Sequence, residues 1–238
     1  MKIAINQPNF IPWIGYFNLI SYVDYFIFFD FVKISKRSSV VRNKIMNKDQ
    51  VYWATLSIPK SSKNEIYKDI RIDYSFLEKL FNRLDQYYPN KSKDDFDFIK
   101  KILSEKKKSL AQYNSNLIVQ LSNYLGIKTK FAFASDILKN ENINYNEITG
   151  AELIKLILIK NKEKYNKFYN FENGIKKNLK PYNDKNFFVE NKINLYQHMY
   201  KLKYCYNKKS DEYLSIIHLI LGEKKIKWDL IKNYSKFK

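Results

Sequence analysis

Short apolar runs alternate with turn-prone residues at the start of the chain. Lys2–Asn6 is predicted to be a strand, and a Gln-Pro-Asn turn follows it. Pro12 stands where a helix can begin, and Trp13–Tyr22 is the predicted helix. Asp24–Asp30 holds apolar residues between two acids, which is typical of a buried strand. A strand, a helix and a strand in this order predict two adjacent parallel strands joined by the helix.

A predicted hairpin and a series of predicted helices follow. Ser39–Met46 and Gln50–Pro59 flank a polar turn and predict the hairpin. Apolar residues at helical spacing predict most of the remaining elements. Helices are predicted over Ser75–Tyr87, Phe96–Ser104, Tyr113–Leu125, Ile148–Lys160 and Ser210–Leu221, and a strand over Lys128–Ala134. The predicted class is α/β, with an N-terminal mixed or parallel sheet, flanking helices and a mainly helical C-terminal half.

The composition changes along the chain. Lys and Asn become more frequent after about residue 138, and Lys139–Asn146 is the candidate linker. We therefore predict an α/β region over 1–138 and a mainly helical region over 139–238, which can still pack as one domain.

The charge favours an anionic partner. Lys and Arg number 43 against 24 Asp and Glu, for a net charge of +19. Such a balance is compatible with a nucleotide-linked substrate, an acidic protein, a membrane surface or nucleic acid. The scarcity of arginine and the absence of a recognisable binding module argue against nucleic acid. Peripheral contact with a membrane through the lysines stays open. The sequence sets no oligomeric state.

Few residues are available for metal or disulfide chemistry. The single cysteine, Cys205, excludes an internal disulfide framework and a cysteine-clustered metal site. The two histidines, His198 and His218, leave too few ligands for a histidine-based zinc site. We therefore expect no metal and no permanently bound cofactor.

The longest apolar stretches are far shorter than the roughly 20 residues that cross a bilayer, and a cytoplasmic location is expected.

Polar side chains of several kinds follow the first two predicted strands. Ligands bind outside the carboxyl ends of parallel strands, and a helix that begins near Pro12 offers amide groups to an anion. Arginine is the better bidentate partner of a pyrophosphate. The predicted substrate-binding residues are Gln7, Asn9, Tyr16, Lys36, Arg37, Arg42 and Asn43, with Asp30 beside them. In the alternative interpretation, Gln7 and Asn9 only form a turn and the basic residues are only surface.

Several motifs resemble one bacterial family. They are Gln-Pro-Asn-Phe-Ile-Pro-Trp-Ile-Gly-Tyr-Phe over 7–17, Asp-Tyr-Phe-Ile-Phe-Phe-Asp over 24–30, the pairs Lys36-Arg37 and Arg42-Asn43, and Trp53, Thr55 and Pro59. Tyr124–Thr129 and Leu214–Ile217 are similar to later segments of that family. The sequence thus resembles the WbqC-like proteins of bacterial surface-polysaccharide clusters.

The resemblance implies a role in O-antigen (lipopolysaccharide) or capsule biosynthesis. The expected enzyme is a transferase that acts on a nucleotide-linked amino sugar, by N-acyl or aminoacyl transfer to the sugar amine. Its donor would be an acyl or aminoacyl thioester of CoA or of an acidic acyl carrier protein. The attacking amine needs a base, and Asp30 and His198 are the predicted catalytic candidates. The alternative is a non-catalytic binding or scaffold subunit of the same pathway.

Overall fold

The first two predicted strands are adjacent and parallel. A computed structural model describes residues 1–34, 38–48, 50–59, 65–144, 147–161, 163–171, 185–200, 213–222 and 235–237. Strands β1 (Lys2–Asn6) and β2 (Tyr25–Phe28) pair in parallel, and helix α1 (Ile14–Tyr22) joins them. The predicted strand–helix–strand unit is confirmed.

A hairpin and three helices separate β2 from the next sheet strand. The antiparallel hairpin is confirmed, and a short 3-10 turn follows it at Tyr67–Asp69. The elements are β3 (Arg42–Asn47), β4 (Gln50–Thr55), α2 (Phe76–Tyr87), α3 (Lys93–Ser104), α4 (Leu110–Tyr124), β5 (Lys130–Phe133) and α5 (Ala134–Ile137). Gly126 adopts φ 70° just after α4, a left-handed conformation that glycine adopts without steric cost.

The C-terminal half contains helices and further strands. Its described elements are α6 (Gly150–Lys160), β6 (Lys167–Phe171), α7 (Lys185–Glu190), β7 (Asn194–Tyr200), α8 (Ile216–Leu221) and β8 (Ser235–Phe237). The predicted α/β class is confirmed. A mainly helical half was expected, but this half also contributes strands. Its aromatic segments become strands because β6 pairs with β1 and β7 pairs with β6.

The main sheet has the topology of a doubly wound fold. Its strand order is β5-β2-β1-β6-β7-β8; the first five strands are parallel, and β8 is antiparallel to β7. Numbered along the chain within this sheet, the order is 3-2-1-4-5-6. In this arrangement the strand order reverses between β1 and β6, and ligands bind at the carboxyl ends of the strands.

Two apolar layers cover the two faces of the sheet. Alternate side chains of β1 point to opposite faces, so Ala4 packs in the layer with α1 and α4, whereas Ile3 and Ile5 pack in the layer with α6. Burial on both faces explains why three successive residues of β1, Ile3 to Ile5, are all apolar.

Helix α8 is shorter than the predicted helix Ser210–Leu221. Ser215 caps it, because the Ser215 hydroxyl accepts a hydrogen bond from the amide of Ile217 at 3.2 Å. The residues before it form bridges with Trp13 and Lys44 instead of continuing the helix. The predicted end at Gly222 is confirmed, and Ser210 lies outside the described residues.

Candidate functional site

A cavity of about 400 Å³ opens at the carboxyl edge of the sheet, where β1 and β2 end. Gln7 follows β1, and four of the lining residues follow β2. The first turn of α6 and a loop residue, Ile66, complete the wall. The lining residues are Gln7, Phe29, Phe31, Val32, Lys33, Ile66, Ile148, Gly150 and Leu153. Gln7 and Lys33 therefore stand among six apolar side chains, and small-molecule sites likewise combine apolar residues with a few polar groups.

The loop between β1 and α1 is held by hydrogen bonds to its backbone carbonyls. The Tyr16 hydroxyl donates to the Gln7 carbonyl at 2.8 Å, and burial raises the pKa of Tyr16 well above its ordinary value. The side-chain amide of Asn43 donates a hydrogen bond to the Ile11 carbonyl at 2.9 Å. The Ser215 hydroxyl donates a second hydrogen bond to the same oxygen at 2.7 Å. Ile11 has φ 36°, a left-handed conformation that is strained for a β-branched residue. Tyr16 and Asn43 therefore shape the loop that presents Gln7.

Asn114, which the sequence analysis did not single out, supports the same loop. Its amide donates to the carbonyls of Pro8 and Val40 at 3.0 and 2.7 Å, and the Tyr67 hydroxyl also donates to Pro8. Asn114 is fully buried on α4. The sequence did indicate that Asn114 is buried. Asn114 is four residues after Leu110 and three before Leu117, so it shares the apolar face of the helix.

Asp30 lies in sequence between Phe29 and Phe31, which line the cavity, but Asp30 is itself buried behind the wall and is not a lining residue. Its carboxylate accepts hydrogen bonds from the amide and the hydroxyl of Ser135, at 3.0 and 2.6 Å. Burial raises the pKa of Asp30, and the hydrogen bonds from Ser135 only partly oppose this effect. The side chain therefore holds a proton more strongly than an exposed aspartate.

His198 lies on β7, in the layer with α1. Its Nε2 is 2.6 Å from Oδ1 of Asn18; since that carbonyl oxygen can only accept, Nε2 carries the proton. Burial lowers the pKa of His198 to about 4, so the ring is neutral near pH 7. Three strand spacings separate β2 from β7, which places Asp30 and His198 at least roughly 14 Å apart. They cannot serve the same reacting atom.

The other predicted binding residues are distributed around the loop and the hairpin. Asn9 accepts a hydrogen bond from the Ser39 hydroxyl at 3.1 Å. The Arg42 guanidinium stacks on Trp53, 4.2 Å from the ring centroid. Lys36 and Arg37 lie outside the described residues. Of the predicted binding residues that the structure describes, only Gln7 lines the cavity. The binding roles assigned to the others stay predictions.

Of the nine lining residues only Gln7 was predicted, and Lys33 and Gly150 are the two unpredicted ones with a direct bearing on ligand binding. Lys33 lies five residues after β2, and Gly150 is the first residue of α6. The capping motif at Thr149 and Glu152 was the available signal for the start of α6. Nothing in the sequence indicated that this helix would begin beside β2.

The described residues contain no group of three or more His, Cys, Asp or Glu side chains placed to hold a metal ion. Among the helices that the structure describes, none has the length and apolarity needed to cross a membrane.

Comparison with known proteins identifies the family. The signature of the WbqC-like protein family matches residues 7–227, which is most of the chain and begins at Gln7. The chain belongs to the WbqC-like protein family. This WbqC-like protein is also similar to the uncharacterized protein Rv1507c of Mycobacterium tuberculosis (strain H37Rv), at 33% identity over 142 residues. The alignment covers 57% of this chain and 61% of that relative. No solved structure matches the chain.

Proposed function

We propose that this WbqC-like protein is a transferase of O-antigen or capsule biosynthesis that acts on a nucleotide-linked amino sugar. The reaction is N-acyl or aminoacyl transfer from a thioester to the sugar amine. The observation that carries the proposal is the cavity at the carboxyl ends of β1 and β2, which has the volume and the lining of a small-molecule site. In a doubly wound sheet this edge is the usual position of a nucleotide.

The rim of the cavity suits an anionic ligand. Lys33 supplies a positive charge, and the first turn of α6 lies beside it. The capping interactions of α6 engage the amides of Thr149 and Glu152, so the amides of Gly150 and Ala151 have no acceptor within the helix. Such amides favour a phosphate. We place the diphosphate at this rim and the sugar against the apolar wall.

Asp30 is the proposed base. The amine nitrogen attacks the thioester carbonyl and its proton passes to a base. The carbon–sulfur bond then breaks, and the leaving thiolate takes that proton from the base to become the free thiol. Burial raises the pKa of Asp30 towards the pH at which an enzyme works. The Asp30 carboxylate therefore accepts a proton more readily than an exposed aspartate does. His198 is the weaker candidate, because its pKa is low and its Nε2 donates to Asn18.

Binding is tested by calorimetric titration with nucleoside-diphosphate amino sugars. Gly150→Leu places a side chain in the cavity and should abolish binding. Gly150→Ala is the matched control, because a Cβ at this position lies 3.5 Å from the Phe29 ring, an ordinary contact. The control should bind within about threefold of the wild type. Equal binding by the wild type and Gly150→Leu would refute this location of the site.

Catalysis is tested by turnover with CoA and carrier-protein thioesters. Asp30→Asn keeps one oxygen, which can accept from the Ser135 amide, and its NH2 group can donate to the Ser135 hydroxyl, but the side chain cannot take up the proton. We expect it to bind the nucleotide sugar normally and to lose roughly 100-fold or more of the rate. Undiminished turnover would refute the role of Asp30. Binding without turnover of any donor would instead support the scaffold function.

A further inference from the structure

The outer face of the β3–β4 hairpin combines cations with apolar side chains. Strand alternation and the register place three facing pairs on this surface: Arg42 with Thr55, Lys44 with Trp53, and Met46 with Val51. The opposite face of the hairpin is buried, with Ile45 and Ala54 in the core. Trp53 is 44% exposed, an unusual value for so large an apolar side chain. This set of six residues is called the hairpin face below.

The two cations of the hairpin face have no acidic partner within the described part of the chain. Arg42 stacks on Trp53, and the Lys44 ammonium is 5.8 Å from the centroid of the same ring. Neither side chain forms an ion pair with a described residue. The Nε of the half-buried Arg42 is itself buried and makes no hydrogen bond to a described residue. The hairpin face therefore presents uncompensated positive charge around an exposed indole.

We infer that the hairpin face binds an acidic protein, and that this protein is the carrier that delivers the acyl or aminoacyl thioester. The inference rests on the proposed function, which requires a thioester donor. Complementary charge steers two proteins together and fixes their orientation. The chain carries +19, so an acidic partner is attracted overall as well as locally.

The composition of the hairpin face favours a protein over other anions. Trp, Arg and Met are enriched in the centres of protein interfaces, and Trp and Arg dominate binding hot spots. Small molecules prefer concave sites, whereas this face is the surface of a two-stranded sheet. Single-stranded nucleic acid usually stacks on several open rings. Among the six residues of the hairpin face, Trp53 supplies the one aromatic ring, and the Arg42 guanidinium already covers part of it.

The experiment is calorimetric titration of the full chain with a purified holo acyl carrier protein. Trp53→Ala should weaken binding by about 30-fold, the effect of a hot-spot residue, and Arg42→Gln by about 10-fold. The affinity should also fall as salt is raised. Tyr124→Ala is the matched control: Tyr124 is an aromatic residue with the same 44% exposure, on α4, and its loss should change binding by less than about twofold.

Binding of the nucleotide sugar and binding of the carrier protein are measured separately, so that this inference and the proposed function can fail independently. Trp53→Ala should bind nucleoside-diphosphate amino sugars like the wild type, whereas Gly150→Leu should lose them and keep the carrier protein. Absence of carrier binding at millimolar concentration, or equal binding by wild type and Trp53→Ala, would overturn the inference while the sugar site stands. A single-stranded RNA oligonucleotide that binds more tightly than the carrier, and that Trp53→Ala weakens, would also overturn it.

Discussion

Acid should destabilise this protein through His198. The side chain is 2% exposed, and its folded pKa is about 4, against about 6.5 in the unfolded chain. As the pH falls below 6.5, His198 becomes protonated in the unfolded chain. In the folded protein it stays neutral until about pH 4. The contribution of His198 to stability is therefore present above pH 6.5 and is lost as the pH falls. Each pKa unit corresponds to about 1.4 kcal/mol, so the full interval corresponds to roughly 3 kcal/mol.

Urea unfolding at pH 7, 6 and 5 measures this loss. Carboxylates titrate in the same range, so the informative quantity is the difference between the wild type and His198→Gln. Glutamine can still donate to Asn18 but carries no titrating group. We expect the free energy of unfolding of the wild type to fall by about 2 kcal/mol relative to the variant between pH 7 and pH 5. A difference that stays constant over this range would refute the burial argument for His198.

Three further substitutions test the loop between β1 and α1 and the start of α1. In Gly15→Ala, the new Cβ would lie 2.1 Å from the Trp13 ring, so we expect a loss of about 1–3 kcal/mol in urea unfolding; unchanged stability would show that the ring moves freely. Asn43→Ala and Ser215→Ala each remove one donor from the Ile11 carbonyl and should cost about 1–3 kcal/mol apiece. A double-mutant cycle should show coupling between them, and strict additivity would contradict the shared acceptor.

Local patterns sufficed for the N-terminal part of the fold. The strand at Lys2–Asn6, the helix after Pro12 and the hairpin each depend on neighbouring residues, and the structure contains all three. The strands β6 and β7 were not predicted, because their aromatic segments become strands by pairing with β1 and with each other. Long-range pairing decides strand formation more than intrinsic preference does.

The sequence indicated which polar residues lie near the candidate site, but it did not indicate what each of them does there. Tyr16 and Asn43 are polar residues near a ligand-binding edge, which made them candidates. In the structure their hydrogen bonds go to carbonyls of an irregular loop, because buried backbone groups need partners. Arg42 is next to Asn43 in sequence, but strand alternation turns it to the opposite face of the hairpin.

The position of β6 beside β1 affects how the protein is made. In their register, Lys2 faces Lys167, so 165 residues separate the paired positions. At about 5–20 residues per second, a ribosome needs roughly 8 to 30 s to synthesise that interval. During this time β1 can pair with β2 but leaves its other edge open to foreign strands. The nascent N-terminal part should therefore depend on chaperones or rapid elongation to avoid aggregation, and slow codons before residue 171 should lower the yield of folded protein.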